Sequence, residues 1–136
     1  MTAKEYLSQA QKIDHEINNM LEQVENLRSM ATKTTAIISD MPGNATRNTT
    51  QLSDIVVKLV EQEEEINKDI QRLVKLRAEI YSVIQGVRDR DERVVLELRY
   101  MGYRTWHDIS LKLGMGERQA YRLHDRGLKD VTVPCQ

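Results

Sequence analysis

The stretch Val94–Val131, VVLELRYMGYRTWHDISLKLGMGERQAYRLHDRGLKDV, decides the fold. Thr105 and Asp108 have capping-box spacing, in which the hydroxyl accepts from orphan N–H groups at a helix start and the carboxylate reaches back. A helix therefore begins at about Thr105. Trp106, Ile109, Ser110 and Leu113 follow at three- and four-residue intervals and form one buried stripe, and Gly114 suits a left-handed C-terminal cap. After Met115 and Gly116 a second stripe turns Ala120, Leu123, Leu128 and Val131 inward and leaves Glu117, Arg118, Gln119, Arg122 and Arg126 outside. The small residues Ser110 and Ala120 let the two helices cross closely. A helix, a glycine-containing turn and a second helix that opens on basic and amide residues make a helix-turn-helix, whose second helix can lie in the DNA major groove.

Toward the N-terminus, Asp89 and Glu92 repeat the cap spacing, so a preceding helix starts near Asp89, runs through Val94, Val95, Leu98 and Met101, and closes at Gly102. Gly86 and the charged run from Arg88 to Arg93 mark a boundary. The domains read as a helical hairpin over 1–86, a helix-turn-helix domain over 87–131 and a tail over 132–136.

The hairpin rests on two heptad seams. Tyr6, Ala10, Ile13, Ile17, Met20, Val24, Leu27 and Ala31 alternate four- and three-residue steps and continue through Thr34 to Ile38. One helix can thus run from about Thr2 to Ser39, fraying where its Thr-rich end has weak propensity, with Met41-Pro42-Gly43 as its stop. The polar connector 40–50 reads as a loop, with Asn48 and Gln51 spaced to cap the second long helix. A second seam runs through Leu52, Val56, Leu59, Ile66, Ile70, Leu73, Ile80, Ile84 and Val87, on a helix expected from about Gln51 to Gln85. Glu63 and Arg77 interrupt it. Either Val60 and Leu76 take over there, or the two charges pair across a partner helix. Matched lengths and a short link predict an antiparallel hairpin, so the fold class is all-α: a long coiled-coil-like hairpin followed by a three-helix domain.

Composition agrees with long solvated helices. Charged residues make up 30% and aromatics 4%, with no Phe. Lys and Arg against Asp and Glu number 10 to 13 in residues 1–86 and 10 to 8 in 87–136, which together give the chain's 20 and 21. The positive excess lies with the helix-turn-helix and is modest, so DNA affinity from one copy should be weak and salt-dependent, and a homodimer would gain avidity. Glu63-Glu64-Glu65 reads plainly as a solvated face, and more sharply as a patch for a basic partner. The lone Cys135 has no partner in the chain, and no run approaches the roughly 20 apolar residues of a membrane span. With no signal-peptide core either, a cytoplasmic protein is expected, and the glycosylation-like triplets at Asn44 and Asn48 are chance matches.

The run LRYMGYRTWHDISLKLGMGERQAYRLHDRGL resembles region 4 of sigma factors, and more closely phage transcriptional regulators of the ArpU type. The shared features are LRY ending the first helix, a tryptophan opening the second, the pair Ile109-Ser110, LG at the turn and ERQAYRLH in the third. Two positions depart: Gly116 stands where a Ser or Thr N-cap is common, and Gly127 where Ala is usual, which should loosen the recognition helix. The resemblance implies a phage or prophage regulator of late genes that contacts RNA polymerase.

Catalysis has no foothold in the sequence. His15, His107 and His124 lie far apart, and no glycine-rich phosphate loop, paired-carboxylate motif or metal-ligand spacing occurs, so no enzyme activity, cofactor or metal is expected. The His107-Asp108 and His124-Asp125 neighbours point about 100° apart on a helix and read as surface polarity. Direct readout fits better: Arg118, Gln119 and Arg122 sit in the first two turns of the recognition helix with donors suited to guanine and adenine. Glu117 would accept from cytosine or orient an arginine; Arg126, Arg104 and the amides near Thr105 would hold phosphate. Tyr100, Tyr103, Trp106 and Tyr121 read as core or rim packing. Two further readings stay open, a phage DNA-packaging recognition subunit of small-terminase type and a helical adaptor without DNA binding. A ring in light scattering marks the first, and absence of salt-dependent DNA affinity the second.

Overall fold

The structure, a computed structural model, describes residues 1–40 and 46–134. Met41-Pro42-Gly43, Asn44 and Cys135 lie outside the described residues. The fold is all-α, and among the described residues there is no strand. Two long helices, α1 (Ala3–Asp40) and α2 (Thr46–Gln85), precede three short ones, α3 (Arg90–Leu96), α4 (Trp106–Leu113) and α5 (Glu117–Asp130). Helix α2 begins five residues before the expected Gln51, and Asn48, expected as its cap, lies inside it. Helix α1 opens on a reciprocal capping box: Glu5 N–H donates to Thr2 Oγ1 at 3.1 Å and Thr2 N–H to Glu5 Oε2 at 3.1 Å. No helix among the described residues is long and apolar enough to cross a membrane.

The chain forms two compact units, residues 16–73 and residues 1–15 with 74–136, so the ends of both long helices belong with the three short ones. In the unit 16–73 the expected seams face inward. Val24 and Leu73 are buried; Ile17, Met20, Leu27, Ala31, Leu52, Val56, Leu59, Ile66 and Ile70 are half-buried. Glu63 holds its seam position by pairing with Arg28 Nε at 2.6 Å, while neighbouring Val60 stays 42% exposed. Charge pairing therefore fills the break, and Val60 does not. Leu21, Met30, Ile37, Ile55 and Val57 are exposed as well, so a single helix pair leaves much apolar surface uncovered.

In the other unit, Tyr6, Leu7, Ala10, Ile80, Ile84 and Val87 are buried at the ends of α1 and α2. Arg77, the second seam interruption, pairs through Nε with Asp14 at 2.6 Å. Helix α5 packs on both α3 and α4. Val95, Ile109, Ala120 and Leu123 form the centre of the three-helix core, with Leu98, Trp106, Leu113 and Met115 against it. Each fully buried aliphatic side chain there contributes roughly 1.5–3 kcal/mol of transfer free energy.

Two details depart from the expected helices. Helix α3 is capped by Asp89, whose carboxylate accepts from Glu92 N–H at 3.0 Å, but it does not continue as α-helix to Met101. Residues Glu97–Met101 form a π-helical turn, closed by Gly102 N–H donating to Glu97 O at 3.0 Å. The second concerns Gly127, expected only as a weak point of α5. A Cβ there would stand 2.9 Å from Leu96 Cδ1 and 3.3 Å from Glu92 Cβ, so the missing side chain is what lets α5 approach α3.

Candidate nucleic-acid interface

Three local signals build the turn that presents α5. Thr105 is the N-cap of α4, its hydroxyl accepting from Asp108 N–H at 3.2 Å. Gly114 ends α4 in the left-handed region with φ 63°, and Met115 N–H donates to Ser110 O at 3.1 Å. Gly116 in extended conformation is the N-cap of α5 and offers no side-chain bond. Four orphan N–H groups therefore sit at the start of α5, together with the positive end of its dipole.

The seven residues expected at a DNA surface, Arg104, Thr105, Glu117, Arg118, Gln119, Arg122 and Arg126, are all exposed. Arg118, Arg122 and Arg126 succeed one another at four-residue steps along one face of α5, with Gln119 beside them. Arg118 and Arg122 make no ion pair with any described residue, so their guanidinium groups are open to an external acceptor. Glu117 Oε1 lies 3.7 Å from His107 Nδ1, beyond hydrogen-bond distance and with both side chains exposed, and it pairs with no arginine among the described residues. The Thr105 hydroxyl accepts at the cap and keeps its O–H as a donor beside the backbone amides of its region. Arg104 O accepts from Arg99 Nη1 at 2.9 Å, which fixes the loop that carries the Arg104 side chain.

Behind this face lies an aromatic cluster that anchors α5. Trp106 stacks on Tyr121 with centroids 4.0 Å apart, meets His124 edge-on at 4.9 Å and carries the Arg99 guanidinium 4.8 Å from its ring. His124 is 4% exposed, not a surface residue as its sequence neighbours imply. Its Nε2 lies 2.7 Å from Tyr100 Oη and its Nδ1 3.2 Å from Asp125 Oδ1. The carboxylate can only accept, so Nδ1 carries the proton and Nε2 accepts from the tyrosine hydroxyl, which is a neutral imidazole. Burial pushes the His124 pKa down, against the opposing influence of Asp125.

Sequence reasoning missed a second anchor at Tyr103. Its φ of 56° places a non-glycine residue in the left-handed region. The strain is offset by its hydroxyl, which donates to Ala10 O at 3.2 Å and to the Asp14 carboxylate. Since Asp14 also holds Arg77, the loop before α4 is tied to the ends of both long helices. A tyrosine beside a glycine was the one available hint, because the partner is 89 residues away.

At the far end of α5, Glu92 is 7% exposed, lies near the Asp130 carboxylate, and its buried Oε2 has no hydrogen-bond partner among the described residues. Burial, then Asp130, then Asp89 raise its pKa, and Arg126 opposes them. The described residues hold no cluster of three or more side chains able to bind a metal ion. None of the curated proteins and none of the solved structures matches this chain. One family model does, over residues 38–132, a span that takes in the last residues of α1, all of α2 and the whole three-helix domain, and the chain belongs to that family, described as protein of unknown function DUF1492.

Proposed function

We propose that this protein is a sequence-specific, double-stranded DNA-binding transcriptional regulator, not an enzyme, with α5 as its recognition helix. The observation that carries the reading is the open face of α5, where Arg118, Gln119 and Arg122 project without partners from a helix fixed on its other side by Ala120, Leu123 and His124. Bidentate donors in the first turns of such a helix meet guanine and adenine edges in the major groove, while Arg126 and Arg104 reach phosphate. Exposed apolar side chains in the unit 16–73 support a homodimer through the long helices, which would set two recognition helices on half-sites one or more helical turns apart. A bacterial cytoplasm, phage or prophage late genes and contact with RNA polymerase complete the proposal, on the strength of the regulator-like run at 98–128.

Footprinting of the purified protein across genomic DNA tests it. The expected result is a small set of sites sharing one motif, with affinity that falls steeply as salt rises. Uniform, motif-free occupancy or none at all would refute it.

A further inference from the structure

A cleft of about 470 Å³ opens in the unit formed by residues 1–15 and 74–136, behind the exposed face of α5. Its size falls in the range of small-molecule sites, roughly 300–1,000 Å³. The first turns of α1 form one wall, through Lys4, Ser8 and Gln11; the π-helical turn, Tyr103 and α5 form the rest. Two uncommon backbone features, the π turn at Glu97–Met101 and the left-handed Tyr103, thus meet at one concavity. Both kinds of feature concentrate at functional sites, because their cost persists only where surrounding structure holds them.

The cleft's chemistry is specific in sign and shape. Lys4 and Arg99 contribute two cations against the one lining carboxylate, Asp125, whose Oδ1 accepts from neutral His124 at 3.2 Å, so the cleft has an excess of positive charge. Neither the Lys4 amine nor the Gln11 amide has a side-chain partner among the described residues, so both are available donors. The fields of Lys4 and Arg99 converge there, since each independently helps depress the pKa of His124. Both faces of Trp106 are taken, by Tyr121 and by Arg99, but Tyr103 and Tyr121 are 38% and 46% exposed and offer ring surface to a planar guest.

We propose that this cleft binds a small phosphorylated planar ligand of the nucleoside monophosphate class, with Lys4 and Arg99 on the phosphate and the two tyrosines against the base. A phosphate anion matches the excess of positive charge from Lys4 and Arg99, and an aromatic wall matches a heteroaromatic ring. The assignment stands apart from DNA binding by α5, because it uses none of the exposed residues Arg118, Gln119 and Arg122. Trp106 lines the cleft and is the only tryptophan of the chain, so its emission reports occupancy.

The test is titration of the full-length protein with AMP, followed by Trp106 fluorescence excited beyond nucleotide absorbance. The expected result is a saturable change with half-saturation on the order of 10⁻⁵ to 10⁻³ M. Ribose 5-phosphate, adenosine and inorganic phosphate, each lacking part of the match, should bind at least about tenfold more weakly. Lys4→Gln, on an exposed helix surface, should leave the melting temperature unchanged and weaken AMP about tenfold. Gln11→Ala serves as a second variant should the first perturb the fold. No saturable change by about 10 mM AMP would overturn the proposal. So would equal affinity in both variants, or a Lys4→Gln effect confined to duplex DNA, which would give the amine to the nucleic-acid backbone instead.

Discussion

Replacing Gly127 by Ala sets two effects of opposite sign against each other. In the middle of an exposed helix the change would stabilise by about 0.5–1 kcal/mol, because glycine loses more backbone entropy on folding. Here the new methyl would fall 2.9 Å from Leu96 Cδ1, 3.2 Å from Leu96 Cγ and 3.3 Å from Glu92 Cβ. Leu96 is 0% exposed, so either α5 must lift from α3 or Leu96 must shift within the core. Such overpacking costs typically about 1–3 kcal/mol. The clash therefore wins, and Gly127→Ala should destabilise the three-helix domain by about 1 kcal/mol. Urea denaturation followed by Trp106 emission reads that domain directly. Adding Leu96→Val, which removes the clashing carbon, should recover about 1 kcal/mol beyond additivity. If Gly127→Ala instead raises the urea midpoint, the close approach of α5 to α3 is wrong.

Other substitutions probe the remaining anchors. Gly114→Ala meets no neighbour, so its cost is conformational alone, about 1–2 kcal/mol for a left-handed residue, and an unchanged urea midpoint would contradict the turn. Tyr103→Phe removes the hydroxyl that holds Asp14 and should cost about 1 kcal/mol in the same assay. The lowered pKa of buried His124 means that the unfolded chain takes up the proton first, so its contribution is full above the ordinary histidine pKa and is lost as pH falls through the folded value; denaturation at pH 7.5 and 5.5 should show that loss in the parent and not in His124→Asn. Glu92 has the opposite sign, its pKa being raised: its contribution is full below the ordinary carboxyl range and is lost as pH rises through the folded value. Glu92→Gln should therefore be more stable than the parent at neutral pH, and lower stability there would refute the burial of an ionisable Glu92 near Asp130.

Local and periodic signals carried most of the fold into view from the sequence. The heptad positions from Tyr6 to Ile38 and from Leu52 to Val87 are buried or half-buried without exception, and the caps at Asp89, Thr105 and Gly114 form where hydroxyl, carboxylate and glycine chemistry places them. The exposed side of α5 was legible for the same reason, since the helical period sets Arg118, Arg122 and Arg126 on one face and Ala120 and Leu123 on another. The features that escaped depend on partners distant in sequence. His124 and Gly127 look like surface polarity and a weak helix residue until α3 and Tyr100 are brought against them. The π turn and the left-handed Tyr103 have no periodic signature, and the groups that hold Tyr103, Ala10 and Asp14, lie far up the chain. Likewise, only the pairing of α1 with α2 shows that Arg28 and Asp14 are the counter-charges that allow Glu63 and Arg77 in an apolar seam.

The central claim, that the open face of α5 reads a duplex, is tested most directly by fluorescence anisotropy titrations of the footprinted site with the parent, Arg118→Ala and Arg122→Ala proteins at fixed salt. Each substitution should weaken the cognate duplex by roughly 1–3 kcal/mol, about five- to 150-fold, and weaken a scrambled duplex much less. Parent-like affinity for the cognate duplex in both variants would contradict the account.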